Sequence, residues 1–238
     1  MPPDASAQDR EIIQRVRSFT MTSPARILAT IMAGRHVASL GIPGAIVECG
    51  VWRGGSTMAI ALSLMHSNCA SVPIYLFDTF DGMPQPEPAD GTRAMKTWNA
   101  KRTPNGHSDW CLAGVDEVRR NMESTGYPGC YIHYVKGRVE DTLPDQAPDA
   151  ISLLRLDTDF YASTKHELRH LFPRLSIGGV LIIDDYGHWC GCRKAVDEYL
   201  VETGTSIFLA RIDETGRIGV KLPPCTATAH RKSPVQQG

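Results

Sequence analysis

From residue 44 onward the chain repeats one pattern. A short, nearly unbroken apolar run ends in a polar or acidic residue, and a stretch with helical spacing of its apolar positions follows. The apolar runs predict strands at 45–49, 74–77, 131–135, 152–156 and 179–183. The stretches between and after them predict helices near 56–67, 112–124, 163–175 and 193–201. Strands apolar on both faces, alternating with helices, are what a parallel sheet covered on both sides requires. The expected class is therefore a doubly wound α/β fold. Two further runs, 207–212 and 217–222, flank Glu214, Thr215 and Gly216 and read as a hairpin that adds an antiparallel edge, making seven strands. Ahead of the sheet, residues 11–19 have a helical period. Thr22, Ser23 and Pro24 then place a capping hydroxyl before a proline at the first helical position, opening a helix through about residue 40.

Composition divides the chain without splitting it. It has 238 residues, 42% hydrophobic and 21% charged, enough for one full core and without a repeat. Residues 1–43 read as an N-terminal helical cap, 44–222 as the main domain, and 223–238, rich in Pro, Thr, Ala and Gln, as a flexible tail. Residues 81–110 are too long and polar for an ordinary connection and read as a lid-like insertion over a binding site. A formal net charge of −1 speaks against a nucleic-acid or anionic-membrane surface. Neither a membrane-spanning run nor the order of a signal peptide is found, so the expected compartment is the cytoplasm. Seven irregularly spaced cysteines argue for reduced thiols rather than a disulfide framework.

In an open sheet of this kind ligands bind beyond the carboxyl ends of the strands. The first strand leaves as Glu48, Cys49, Gly50, Val51, Trp52, Arg53, Gly54, Gly55 and Ser56, a glycine-rich turn opening a helix. It lacks the Gly-Lys-Ser/Thr of a phosphate loop, and Trp52 stands where a dinucleotide fingerprint has its second glycine. A ligand without phosphates, such as S-adenosylmethionine, does not need that glycine, and Glu48 would sit near its ammonium group. The second strand ends at Asp78, placed either to accept both hydroxyls of a ribose or to cap the loop that follows. The fourth and fifth strands end in Asp157-Thr158-Asp159 and Asp184-Asp185. Neighbouring parallel strands lie about 4.8 Å apart, so these acids can converge. Unpaired, they would repel one another, and a hard divalent cation, Mg²⁺ with Mn²⁺ or Ca²⁺ as substitutes, is the usual remedy. Such an ion can orient a hydroxyl and lower its pKa while an unliganded carboxylate takes the proton. Asp157, Asp184 and Asp185 are read as the ligands and Asp159 as the base, with Asp157 and Asp159 exchangeable.

Taken together, these stretches resemble the macrocin O-methyltransferase (TylF-like) family, metal- and S-adenosylmethionine-dependent enzymes that methylate sugar hydroxyls of antibiotics and related natural products. The matching runs are 21–24, 46–56, 75–84, 135–144, 153–165 and 178–199, in the same order. The resemblance implies a class I methyltransferase (Rossmann-like) fold, with Glu48, Gly50 and Ser56 at the amino-acid end of the cofactor and Asp78 at its ribose. By position, Gly137, Arg138 and Val139 would lie near the adenine. It implies the same metal ligands and base, a glycosylated small molecule as acceptor, and a homo-oligomer. A catechol acceptor, or a noncatalytic cofactor-binding protein of the same fold, are the other readings. His188 is the second candidate for the base. With Trp189 it either contacts the acceptor or packs the turn before the last helix. Trp52 and Arg53 either close over the cofactor or pack against the N-terminal helices. Cys190 and Cys192 lack the second pair that a zinc site needs and read as incidental.

Overall fold

The computed structural model describes residues 1–104 and 108–223. The tail expected from residue 223 thus falls almost wholly outside the described residues. The elements follow in the order α1 (Ala7–Val16), α2 (Pro24–Ser39), β1 (Ala45–Cys49), α3 (Gly55–His66), β2 (Ile74–Asp78), α4 (Gly91–Ala100), α5 (Val115–Glu123) and β3 (Ile132–Lys136). After these come α6 (Val139–Thr142), β4 (Ile151–Leu156), α7 (Tyr161–Leu171), β5 (Leu175–Ile183), α8 (Cys190–Thr203), β6 (Ala210–Arg211) and β7 (Arg217–Val220).

The seven strands form one sheet in the order β3-β2-β1-β4-β5-β7-β6. The first five are parallel, and β7 is antiparallel to both β5 and β6. This is the class I methyltransferase fold. The chain runs outward from β1 through β2 to β3, then returns to lay β4 on the other side of β1. That reversal opens a crevice at the carboxyl ends of β1 and β4, the topological switch point of the sheet.

Each strand sends alternate residues to opposite layers. Ile46, Ile74, Leu76, Leu153, Val180 and Ile182 pack into one core with α1, α2 and α3. Val47, Phe77, Leu154, Leu156, Leu181 and Ile183 pack into the other with α7 and α8. The N-terminal helices thus share the first core with the sheet. Helix α1 starts at Ala7, ahead of the expected residue 11, because Ser6 and Asp9 cap it reciprocally. Ser23 caps α2, with Pro24 at its first position.

Several readings differ in extent: α7 ends at Leu171 and β5 already begins at Leu175, where the expected helix still runs. The hairpin strands are shorter than expected, with the residues before β6 lying outside the ladder. Residues 81–110 carry an ordered helix, α4, whose Ala94 and Trp98 are buried one turn apart. Trp98 Nε1 donates to the Met83 carbonyl at 3.0 Å. The preceding Asp90 is 1% exposed, and its Oδ1 accepts from the Tyr161 backbone at 2.6 Å. Residues 105–107 of the insertion lie outside the described residues. The six described cysteines are free.

Candidate functional site

A cavity of about 290 Å³ opens at the switch point. One wall is the turn after β1. Gly50 has φ +80, and a Cβ there would overlap the Asp157 carbonyl, so only glycine lets the β1 turn lie against the end of β4. The backbone seals this approach, with Asp157 N donating to the Cys49 carbonyl at 2.8 Å. Trp52, in the place of the missing second glycine, has φ +46, the left-handed region that glycine would occupy without strain. It both lines the cavity and packs on the N-terminal core. Arg53 lies over the Phe19 ring and donates to the Ser18 carbonyl at 2.8 Å and to Glu117 at 2.6 Å, clamping the N-terminal segment and α5 onto the turn. Ser56, in the first turn of α3, reaches the same cavity, as do Gly137, Arg138 and Val139 from the end of β3.

Of its two sequence readings, Asp78 shows the cap, and it braces a second turn as well. Oδ1 caps the following loop by accepting from Phe80 N at 2.7 Å. Oδ2 accepts from Val51 N at 2.6 Å and Trp52 N at 3.1 Å, tying β2 to the glycine-rich turn. Burial raises its pKa and these donors offset part of that rise. The carboxylate faces the cavity beside Gly137, whose N–H donates to the Asp78 carbonyl at 3.0 Å.

The opposite wall holds the acids. Asp157, Asp184 and Asp185 each present a carboxylate oxygen within 4.8 Å of the others. Beneath them lies Arg155, which sequence reasoning did not single out. Its guanidinium is completely buried and donates to Glu48 at 2.7 Å, to Asp157 at 2.7 Å and to Asp184 at 2.6 Å. Arg26, from the first turns of α2, also pairs with Asp184, and Thr22 Oγ1 lies 3.3 Å from both Asp184 oxygens. The protein therefore supplies part of the counter-charge that the acids demand. The carboxylates still outnumber the guanidiniums, and Asp185 Oδ2 is buried with no hydrogen-bond partner. An all-carboxylate donor set with an orphaned buried oxygen fits a hard divalent cation.

Glu48 is 1% exposed at the floor of the cavity. Its carboxylate turns inward: one oxygen takes Arg155 and the other takes the Thr57 hydroxyl. Burial pushes it up to about 7, against the pull of Arg155. Asp159 has φ +67 and sits against Asp185 and the Trp189 indole. Burial is the main reason that its pKa rises to about 7, with Asp157 and Asp184 adding repulsion. Burial also lifts Asp157 and Asp185 well above the usual carboxylate range, reinforced by their neighbouring acids.

His188 is exposed at the mouth, 3.1 Å from Arg93 of α4 through Nε2. A guanidinium can only donate, so Nε2 carries the lone pair and the ring is neutral. Burial, Arg93 and Arg26 all depress its pKa. Trp189 is buried, edge-on to Trp110, and Arg93 lies over its face. Gly191 lies tight against Asp90, and Cys190 Sγ donates to the Asp90 carbonyl at 3.2 Å, so Cys190 and Gly191 pack the insertion onto α8, while Cys192 is buried in the second core. Every residue singled out for the cofactor, the metal or the base thus lines one cavity. Arg155, Arg26 and Thr22 were missed. The first had a visible signal, a lone charge inside an apolar strand buried on both faces.

Comparison with known proteins adds a family. The chain matches the macrocin-O-methyltransferase (TylF) family over residues 5–218. It is 35% identical over 176 residues to the 8-demethyl-8-(2,3-dimethoxy-alpha-L-rhamnosyl)-tetracenomycin-C 4'-O-methyltransferase of Streptomyces olivaceus. It is 32% identical over 175 residues to the demethyldecarbamoylnovobiocin O-methyltransferase of Streptomyces niveus. Each match covers 74% of this chain and 65% of the relative, so the chain spans less than two thirds of the length of either. Among solved structures, the O-methyltransferase NovP superposes with a TM-score of 0.78 at 29% identity, covering 86% of this chain and 83% of that one. The calicheamicin methyltransferase CalS11, at 19% identity and a TM-score of 0.64 over 91% and 93% of the two chains, shares the fold. With the matched residues taking in the sheet and both walls of the cavity, the chain belongs to the macrocin-O-methyltransferase (TylF) family.

Proposed function

We propose that the protein transfers the methyl group of S-adenosylmethionine to a hydroxyl of a glycosylated small molecule, assisted by a divalent cation. The observation that carries this reading is the meeting, in one cavity, of the glycine-rich turn and Asp78 with an all-carboxylate cluster. Family membership supports it, and one relative's name specifies a rhamnosyl-bearing tetracenomycin.

In this reading the turn from Gly50 to Ser56 encloses the amino-acid end of S-adenosylmethionine, Asp78 takes the ribose hydroxyls, and Gly137, Arg138 and Val139 border the adenine. Asp157, Asp184 and Asp185 would hold Mg²⁺ or Mn²⁺, which when bound orients an acceptor hydroxyl and makes it more acidic. Asp159 takes the hydroxyl proton as the oxygen bonds to the methyl carbon. The carbon–sulfur bond breaks, leaving a methyl ether, S-adenosylhomocysteine and a protonated Asp159. Trp189, Trp110 and Met83 wall the acceptor side.

The test is calorimetric titration of EDTA-treated protein with S-adenosylhomocysteine and then Mg²⁺, followed by methyl transfer from labelled S-adenosylmethionine to panels of glycosides and catechols. Cofactor binding, a separate Mg²⁺ isotherm lost in Asp184→Asn, and a methylated glycoside are expected. A folded protein that binds no S-adenosylhomocysteine overturns the reading, and catechol turnover with inert glycosides overturns the acceptor class.

The same reading includes a homo-oligomer in the cytoplasm. Leu40 and Ile177 are 63% and 49% exposed where the end of α2 meets the start of β5, and sedimentation analysis reads the assembly. No described helix is long and apolar enough to cross a membrane.

A further inference from the structure

The buried stripe of α7 is Ser163, Thr164, Glu167, Leu168 and Leu171. Glu167 sits in the middle of it, 0% exposed, where a helix facing a sheet takes an apolar residue. Among the described residues seven buried side-chain nitrogen or oxygen atoms lack a hydrogen-bond partner, and three of them are here: both Glu167 oxygens and Thr158 Oγ1. The Thr158 hydroxyl faces the Glu167 carboxyl and favours its charged form, while Glu140 and Asp157 are the nearby acids. None of these neighbours is a cation. Burial pushes Glu167 up to about 8, so at neutral pH it keeps an O–H donor beside a carbonyl acceptor.

Thr158 stands between Asp157 and Asp159, and the turn needs support because Asp159 has φ +67. Its backbone is already held by α7 and the cap before it: Phe160 N donates to the Thr158 carbonyl at 2.7 Å and Ser163 Oγ of α7 donates to it at 3.4 Å. Glu167 lies one turn further along the same helix, on the side chain of the same residue. We propose that Glu167 is a positioning residue, its carboxyl engaging the Thr158 hydroxyl so that the Asp157-Thr158-Asp159 turn presents its acids to the cavity. The consequence for metal binding rests on the function proposed above, whereas the hold on the turn does not.

Hydrogen exchange of the peptide spanning residues 156–162 tests the hold directly, in the wild type, Glu167→Leu, Glu167→Gln and Thr158→Val. Both Glu167→Leu and Thr158→Val should speed exchange at the turn by about tenfold, with the 50–56 turn unchanged and Glu167→Gln close to wild type. In parallel, Mn²⁺ titration followed by electron paramagnetic resonance should show affinity about 10–100-fold weaker in those two variants and restored in Glu167→Gln. S-adenosylhomocysteine binding should stay within about twofold of wild type. Wild-type exchange in Glu167→Leu, or Glu167→Gln exchanging as fast as Glu167→Leu, overturns the proposal. If Glu167→Leu does not fold, Thr158→Val decides alone, since it removes only the hydroxyl. A wild type that binds no Mn²⁺ counts against the proposed function, and the exchange comparison still decides the role of Glu167.

Discussion

Arg155 Nη2 donates to Asp184 Oδ1 at 2.6 Å, with the guanidinium completely buried and the carboxylate 4% exposed. The same guanidinium reaches Glu48 and Asp157, so one buried cation ties the end of β1 to both acidic strand ends. Removing one member of a buried ion pair leaves the others uncompensated, at a cost of about 3–5 kcal/mol. Arg155→Met should lose stability of that order in urea unfolding. A loss below about 1 kcal/mol would mean that the acids reorganise without it, as exposed pairs do.

Asp78 offers a separation of support from ligand binding. Its oxygens accept from three backbone N–H groups in two different turns, and the amide of Asp78→Asn has only one accepting end. At least one N–H then meets another donor, costing about 1–3 kcal/mol of stability. If Asp78 also takes ribose hydroxyls, S-adenosylhomocysteine affinity should fall at least about tenfold, a further 1.4 kcal/mol. Thermal unfolding and calorimetry on the same variant read the two effects. Lowered stability with unchanged affinity would leave Asp78 as a brace for the loops.

The strands that frame the cavity were legible because burial on both faces leaves a nearly continuous apolar run, and β1 falls on the expected residues 45–49. Asp157, Asp184 and Asp185 were legible for a related reason, as charges where such runs stop. Arg155 stood out as the one charge inside its run, 152–156, but nothing local says what it will meet, so its role was not legible. Arg26 from α2 and Thr22 from the segment just before it approach Asp184 from more than 150 residues away in sequence, a contact set by how α2 docks on the sheet. Helix α4 was masked by its polar composition, its burial resting on Ala94 and Trp98 alone.

Glu167 gives the stability of the protein a pH dependence with a definite sign. In the unfolded chain its carboxyl releases the proton near 4.5, whereas in the fold, buried near Thr158, Cys49, Glu140 and Asp157, it holds the proton to about 8. Between those values the native state binds one more proton than the unfolded state. This contribution is complete below the lower value and is lost as pH rises through the upper one. Its slope is at most about 1.4 kcal/mol per pH unit. Glu167→Gln, which cannot titrate, should lack that decline. Urea unfolding at about pH 5.5, 6.5 and 7.5 compares the two proteins. Parallel stability profiles would show that Glu167 does not hold a proton in the fold.

His188 and Asp159 were both candidates for the base, and their surroundings separate them. The Nε2 lone pair of His188 is occupied by Arg93, and the ring stands at the exposed mouth of the cavity. Asp159 is placed among the acids, against Asp185 and the Trp189 indole. A general base contributes about 10²–10⁴-fold to rate, so Asp159→Asn should lose turnover in that range while S-adenosylhomocysteine binding is retained. His188→Gln keeps a group that can accept from Arg93 and should change turnover by less than about tenfold, with any effect falling on the KM of the acceptor. Steady-state kinetics on both variants, with the acceptor found in the glycoside panel, distinguish the roles. Full turnover in Asp159→Asn together with a large loss in His188→Gln would assign the proton transfer to the histidine and make Arg93 its regulator at the mouth.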